Sequence, residues 1–189
     1  MIAQGIRRLT VTLVGCAGLA FTPLVTASAG AVTHGSAGAA AVPKCASGDL
    51  GVWVAADRIG MAAGTWYMPL EFTNLGHRTC TLRGFPGVSA ISSSGRQLGD
   101  AAAWDRSVKP TTVTLPPGAT ASATLMYSNA LTGSCPPGKG VAAFELRVYP
   151  PDGFGADHAL WSLPTCTATG YTHFLQVLPI AAGTGGSLR

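Results

Sequence analysis

Charged side chains are scarce in this chain of 189 residues: Asp, Glu, Lys and Arg together make up 11 % of it. The hydrophobic fraction is 47 %, which excludes an intrinsically disordered protein, because disorder requires low hydrophobicity and high charge. The net charge of +4 falls to about +2 when Arg7 and Arg8, which belong to a predicted export signal, are set aside. The other basic residues are scattered without a run, so we expect no nucleic-acid partner.

Motifs for catalysis and metal binding are also missing. The sequence has no C-x-x-C, H-x-x-H or H-E-x-x-H, which argues against a redox pair and a zinc site. It has no G-x-S-x-G, the sharp turn that holds a hydrolase serine. We therefore expect no enzyme activity, no metal and no cofactor. A hydrolase whose catalytic residues come from distant positions stays open as a third hypothesis, because triads arise on unrelated folds.

One segment nearly matches a phosphate-binding loop. Residues 133–140 read GSCPPGKG, against the pattern G-x-x-x-x-G-K-[ST]. Gly140 stands where a hydroxyl should hold magnesium, and Pro136 and Pro137 lack the N–H groups that would cradle phosphate. We predict a proline-rich loop here and no nucleotide ligand.

The N-terminus has the features of an export signal. Arg7 and Arg8 form a positive start, residues 9–25 are mostly apolar, and Ala27-Ser28-Ala29 offers small residues to a signal peptidase. We predict a signal peptide over residues 1–29. No later apolar run reaches the roughly 20 residues of a spanning helix, so we expect no transmembrane segment in the mature chain and a secreted, extracellular location.

Cys16 supports an alternative to this signal peptide. Leu13-Val14-Gly15-Cys16 fits a lipobox, in which Cys16 would become a lipidated N-terminus and anchor the protein at the outer face of the cell membrane. The chain stays apolar after Cys16, where a mature lipoprotein turns polar, and this favours the ordinary signal peptide.

The rest of the chain divides into three parts. Residues 30–43 are small and rich in Ala and Gly, which predicts a flexible spacer. Residues 44–180 form the predicted domain, and residues 181–189 are expected to be a disordered tail. Within the domain, turn signals recur at short intervals and apolar residues alternate, which predicts a sandwich or barrel of short strands. The alternation that ends near Val148 is the clearest, and it predicts that Phe144 and Leu146 lie in the core.

Four cysteines follow the predicted signal: Cys45, Cys80, Cys135 and Cys166. An even set behind an export signal is typical of a disulfide framework formed in an oxidising compartment. Four cysteines can pair in three ways. Pairing in chain order closes the smallest loops.

Several segments together resemble one family. They are FTNLG at 72–76, CTLRGFPGV at 80–88, LPPGATA at 115–121, Cys135-Pro136, VYPP at 148–151 and LQV at 175–177. From Cys45 to about Pro179 the chain resembles the actinobacterial family known as domain of unknown function four-two-three-two. The resemblance implies an all-β, immunoglobulin-like Greek-key sandwich, secreted or lipid-anchored, and it implies no reaction, cofactor or ligand. Pairing in chain order agrees with it, so we predict the disulfides Cys45–Cys80 and Cys135–Cys166.

Outward aromatic residues are the remaining functional signal. Trp53, Tyr67 and Tyr149 fall out of phase with the apolar alternation of their strands, and an aromatic ring outside a sheet can stack on a sugar or pack against a protein. The structural alternative is that such residues cover a sheet edge.

The sequence as a whole predicts an exported, non-catalytic module that binds an unknown protein or glycan at the cell envelope. The first alternative is a carbohydrate-binding module for cell-wall or extracellular polysaccharide.

Overall fold

The computed structural model describes residues 41–129 and 133–186. The predicted signal peptide, Cys16 and most of the predicted spacer lie outside the described residues. Short 3-10 helices span Ser47–Asp49 and Ala56–Arg58. The strands of the described part are β1 (Leu50–Val54), β2 (Gly60–Ala62), β3 (Thr65–Asn74), β4 (Cys80–Leu82), β5 (Gly87–Ile91), β6 (Gln97–Leu98), β7 (Ala103–Trp104), β8 (Val113–Leu115), β9 (Thr120–Ser128), β10 (Gly140–Tyr149), β11 (Asp157–Cys166), β12 (Leu175–Val177) and β13 (Ala181–Ala182).

The strands form two main sheets. The first has the order β1-β3-β9-β12-β7, with β2 beside β3 and β13 beside β9, and the second has the order β11-β10-β5-β6. Strands β4 and β8 pair separately, and β12 with β7 is the parallel pair among the described strands. One hydrophobic cluster joins Phe72 and Leu125 of the first sheet to Leu146 and Val148 of the second. The prediction of an all-β fold is therefore confirmed, and its layers are compatible with an immunoglobulin-like Greek-key sandwich.

Both predicted disulfides are present. Cys45 joins Cys80 with a Cα–Cα distance of 4.8 Å, and Cys135 joins Cys166 at 5.7 Å. The second bond ties the loop before β10 to the end of β11. That loop is the segment resembling a phosphate-binding loop, and here the N–H of Lys139 donates to the Pro136 carbonyl at 3.1 Å. In the described residues no helix has the length and apolarity needed to cross a lipid bilayer.

A β-bulge changes the core phase of β10. The register of β10 against β11 shifts between Ala143 and Glu145. Leu146 is fully buried, but Phe144, which lies at the shift, is 56 % exposed. The prediction of a core position is thus confirmed for Leu146 and wrong for Phe144, because simple alternation assumes an uninterrupted ladder and a bulge reverses the faces.

The C-terminal segment is ordered as far as the structure describes it. Ala181–Ala182 form β13 on β9, the N–H of Gly185 donates to the Glu71 carboxylate at 3.1 Å, and the N–H of Gly186 donates to Ser122 Oγ at 2.9 Å. The prediction of a disordered tail is wrong for residues 181–186, while residues 187–189 lie outside the described residues. Glycines here serve close packing, since a Cβ on Gly186 would lie 2.5 Å from a side-chain oxygen of Thr124.

Candidate functional site

The three outward aromatic residues are not brought together. Trp53 pairs with Glu71 on the outer face of the first sheet and is 40 % exposed. Tyr67 is half-buried on β3 of the same sheet. Tyr149 belongs to the second sheet, where its side chain packs against Gly87 and it remains 37 % exposed. Because the two sheets pack against each other, these residues occupy opposite sides of the domain and form no common site.

A different set of aromatic residues surrounds a cleft between the sheets. Its volume is about 150 Å³. Trp66, Met68 and Tyr127 line it from the first sheet, and Trp161, Leu163 and Pro164 line it from β11 of the second. The cleft combines three aromatic rings from three strands that are far apart in the sequence.

Strand register explains why the cleft forms here. Trp66 and Tyr127 are direct cross-strand partners in the β3–β9 pair. Trp66 and Met68 both project to the core side of β3, since side chains two residues apart share a face. Met68 is 1 % exposed, but Trp66, one residue from the start of β3, is 36 % exposed. The apolar face of β3 therefore extends beyond the part of the core that the second sheet covers.

Tyr127 fixes the geometry of the cleft. Its hydroxyl donates to the Pro164 carbonyl at 2.7 Å, which ties β9 to β11 across the two layers. Its ring meets Phe174 edge-on, with 6.3 Å between centroids. Tyr127 itself is 3 % exposed. A wall held by a partly buried hydrogen bond and an aromatic contact is formed before any ligand arrives, which lowers the entropic cost of binding.

Residues 45–181 match the family model described as "Domain of unknown function (DUF4232)". The chain belongs to the DUF4232 family. No curated protein matches it. The matched range contains both disulfides and every lining residue of the cleft. The family description gives no activity, so the chemistry of this DUF4232 domain has to be argued from its own residues.

The cleft has the chemistry of a binding site for an uncharged group. Its lining includes no Asp, Glu, Lys, Arg or His, and Ser162 adds one hydroxyl beside the aromatic rings. An apolar cavity of about this volume holds a benzene-sized ring. The cleft of the DUF4232 domain can therefore accept one ring or one large apolar side chain, and its lining supplies neither a carboxylate nor an imidazole for proton transfer.

A second group brings together residue types known from hydrolases. Nδ1 of His173 lies 2.9 Å from a carboxylate oxygen of Asp100. His173 also lines a cleft of about 240 Å³ together with Ser128 and Thr65. However, the side chains of His173 and Asp100 are 80 % and 50 % exposed, whereas a triad carboxylate is buried so that it can hold the imidazole in place.

Sequence reasoning missed the cleft for a physical reason. Trp66 and Tyr127 follow the core phase of their strands, so alternation alone assigns them to the interior. Trp161 and Leu163 lie two residues apart on β11 and therefore share one face of that strand. This spacing was the available signal that Trp161 faces the first sheet. Only the stacking of the sheets shows that these core-phase rings reach an opening.

Proposed function

We propose that this DUF4232 domain is an exported, non-catalytic binding module that acts at or outside the cell surface through the aromatic cleft. The observation that carries the proposal is the cleft itself, with three aromatic rings, a wall held by Tyr127, and a lining without ionised side chains. Export is supported by the predicted signal over residues 1–29 and by the two disulfides, which form and persist in oxidising compartments. Lipid attachment at Cys16 is the alternative to a freely secreted form.

A protein segment is the first ligand class to test. Strand β11 is ten residues long and is the last strand in the order of the second sheet, within the part of the chain that the structure describes. An edge strand can accept an extended peptide as a further strand. Such a peptide could place one apolar side chain between Trp161 and Trp66. A sugar ring held between the same two rings is the second ligand class.

The cleft is tested by comparing capture by matched variants. The exported chain, residues 30–189, is immobilised and exposed to culture supernatant and cell-envelope extract of the producing organism. We expect Trp161→Ala and Trp66→Ala to lose a partner that the unaltered chain retains. Trp53→Ala, which removes an exposed tryptophan of the first sheet that does not line the cleft, should retain it. Capture that is equal for all four proteins would refute the cleft as the site.

The hydrolase hypothesis has its own test. The grouping of Asp100, His173 and Ser128 favours it, because an imidazole held by a carboxylate can activate a serine. A fluorophosphonate probe labels an activated serine covalently. We expect no labelling of the folded chain, since an imidazole and a carboxylate exposed to this degree are not held in position. Labelling that Ser128→Ala abolishes would establish an enzyme and contradict the non-catalytic proposal.

A further inference from the structure

Two stacked aromatic rings and an arginine form a separate cluster at another edge of the domain. Trp104 ends β7, the last strand in the order of the first sheet, and Phe85 lies in the connection from β4 to β5. Their ring centroids are 5.3 Å apart and their planes differ by 11°. Cζ of Arg106 lies 5.2 Å from the Trp104 centroid and 6.0 Å from that of Phe85.

Phe85 stacks on one face of Trp104, and neither Phe85 nor Arg106 covers the other face. If Arg106 lay on the face of Trp104 turned away from Phe85, two contact separations of about 3.5 Å would place its Cζ at least about 7 Å from the Phe85 centroid. The observed distance of 6.0 Å is shorter, so the guanidinium does not cover that face. Trp104 is 50 % exposed. An indole face and a guanidinium are thus presented side by side to solvent.

The backbone around the cluster is fixed. The N–H of Asp105 donates to the Val177 carbonyl at 3.0 Å, and the N–H of Ala102 donates to the Val88 carbonyl at 2.8 Å, so both sides of the Trp104 segment are held. The N–H of Ile180 donates to the Gly84 carbonyl at 2.9 Å, next to Phe85. The backbone that carries the two rings is therefore held in place without a ligand.

Within the described part of the chain, no acidic side chain forms an ion pair with Arg106. Among the residues that the structure describes, the ion pairs involve Lys44, Arg58, His158 and His173, and not Arg106. Its contacts with the two rings are cation–π contacts, which leave the in-plane N–H donors of the guanidinium able to bind an anion. The site thus offers an apolar ring face and a planar fork of donors.

We propose that Trp104 and Arg106 form a second binding site, distinct from the cleft, for a sugar ring that bears an acidic group. The indole stacks on the apolar face of the sugar. The guanidinium binds the carboxylate or phosphate of the sugar through bidentate hydrogen bonds. This inference rests on the proposed function in one respect only, that an exported domain meets extracellular polysaccharide. Single-stranded nucleic acid also combines rings and anions, but it is bound along basic grooves, and this sequence has no basic run.

The ligand chemistry is tested with matched probes. The exported chain is titrated calorimetrically with trigalacturonic acid and with its full methyl ester, which keeps the rings and removes the charge. Mannose 6-phosphate against mannose forms a second arm that separates phosphate from carboxylate. We expect the acidic sugar to bind in at least one of the two arms. In that arm, the affinity for the uncharged sugar should be lower by about tenfold or more. Equal affinity for charged and uncharged members, no binding in either arm, or tighter binding of a single-stranded oligonucleotide would each overturn the inference.

Substitutions locate the site. We expect Trp104→Ala to weaken binding of the acidic sugar about tenfold, and Trp104→Tyr, which keeps a ring, to retain most of it. Arg106→Gln should remove the preference for the charged member, and Arg106→Lys should recover it only in part, because lysine lacks the planar fork. Trp53→Ala is the control of similar exposure and should bind as the unaltered chain does. An equal loss in Trp53→Ala and Trp104→Ala would contradict the assignment.

The experiments can refute the cleft proposal and the acidic-sugar proposal independently of each other. Trp161→Ala should bind acidic sugar normally, because Trp161 lines the cleft and not this site. If no acidic sugar binds while Trp161-dependent capture persists, this inference alone is refuted. If acidic sugar binds through Trp104 while capture does not depend on Trp161, the cleft proposal alone is refuted.

Discussion

The outer face of the first sheet is covered by the chain itself around Glu71 and Ser122, whereas the outer face of β10 and β11 in the second sheet is open. On the first sheet, Glu71 and Ser122 are 4 % and 2 % exposed beneath the C-terminal segment that includes Gly185 and Gly186. On the second, Phe144 and Leu160 are 56 % and 73 % exposed. Polar residues are therefore buried on one outer face and apolar residues exposed on the other, so the identity of a residue does not decide its burial here.

The same contrast appears in one ion pair on each sheet. Nη1 of Arg58 lies 2.6 Å from the Glu71 carboxylate, whose side chain is 6 % exposed. Nδ1 of His158 lies 2.8 Å from the Glu145 carboxylate, whose side chain is 19 % exposed and whose partner is 48 % exposed. The distances are nearly equal, but the surroundings differ. We expect the two sheets to respond differently to equivalent substitutions.

The largest expected difference lies within β10. Leu146→Ala should lower the free energy of unfolding by about 2–5 kcal/mol, because it leaves a cavity between the sheets. Phe144→Ala should change it by about 0.5 kcal/mol or less, since surface substitutions have small effects. Chemical denaturation of both variants measures this. A large loss in Phe144→Ala would mean that the bulge is absent and that the simple alternation holds.

Sequence patterns predicted the features of this fold that depend on residues close together in the chain or on the number of cysteines. The four cysteines after the predicted signal, the recurring turn signals and the alternation around Leu146 were sufficient to predict an all-β, disulfide-bonded domain. The position of Phe144 could not be predicted, because a bulge is a property of two paired strands, and the residues opposite Phe144 lie on β11. The order of the C-terminal segment depends in the same way on partners far back in the chain, namely Glu71 and Ser122.

The candidate site was less accessible to prediction than the fold. Trp53, Tyr67 and Tyr149 were selected by their phase within single strands, and the structure separates them onto two faces. The rings that do converge, Trp66 and Trp161, lie on strands of different sheets. A phase argument concerns one strand at a time, so it cannot show which strand ends face each other across the two layers.

The next largest effect is expected at the covered carboxylate. Glu71→Ala removes the ion pair with Arg58 and the acceptor for the Gly185 N–H, and it leaves a gap under the C-terminal segment. We expect a loss of about 1–3 kcal/mol in unfolding free energy. Hydrogen exchange of the Gly185 amide should also accelerate. Unchanged exchange would show that the segment is held without Glu71.

A smaller effect on stability is expected from displacing the C-terminal segment that covers Glu71 and Ser122. Gly186 has a φ of +62°, and a Cβ there would clash with Thr124, so Gly186→Ala should displace the segment and cost about 1 kcal/mol or more. Gly183 also has a positive φ, +86°, but nothing lies within 4 Å of a Cβ there. Gly183→Ala is therefore the control for backbone strain alone. If both variants unfold at the same denaturant concentration, the close packing of Gly186 on β9 contributes nothing.

The smallest effect is expected at the open ion pair. Glu145→Ala removes the partner of His158, but water reaches both side chains, and pairs of this kind contribute about 0–1 kcal/mol because solvent replaces the lost contact and screens the charges. At a pH at which His158 is protonated, raising the salt concentration should narrow the difference in unfolding free energy between Glu145→Ala and the unaltered chain, since exposed charges are screened. The same salt series should leave the effect of Glu71→Ala nearly unchanged, because its carboxylate is covered. If Glu145→Ala were as destabilising as Glu71→Ala, and equally insensitive to salt, then β10 and β11 would also have a cover, and the difference between the two outer faces would disappear.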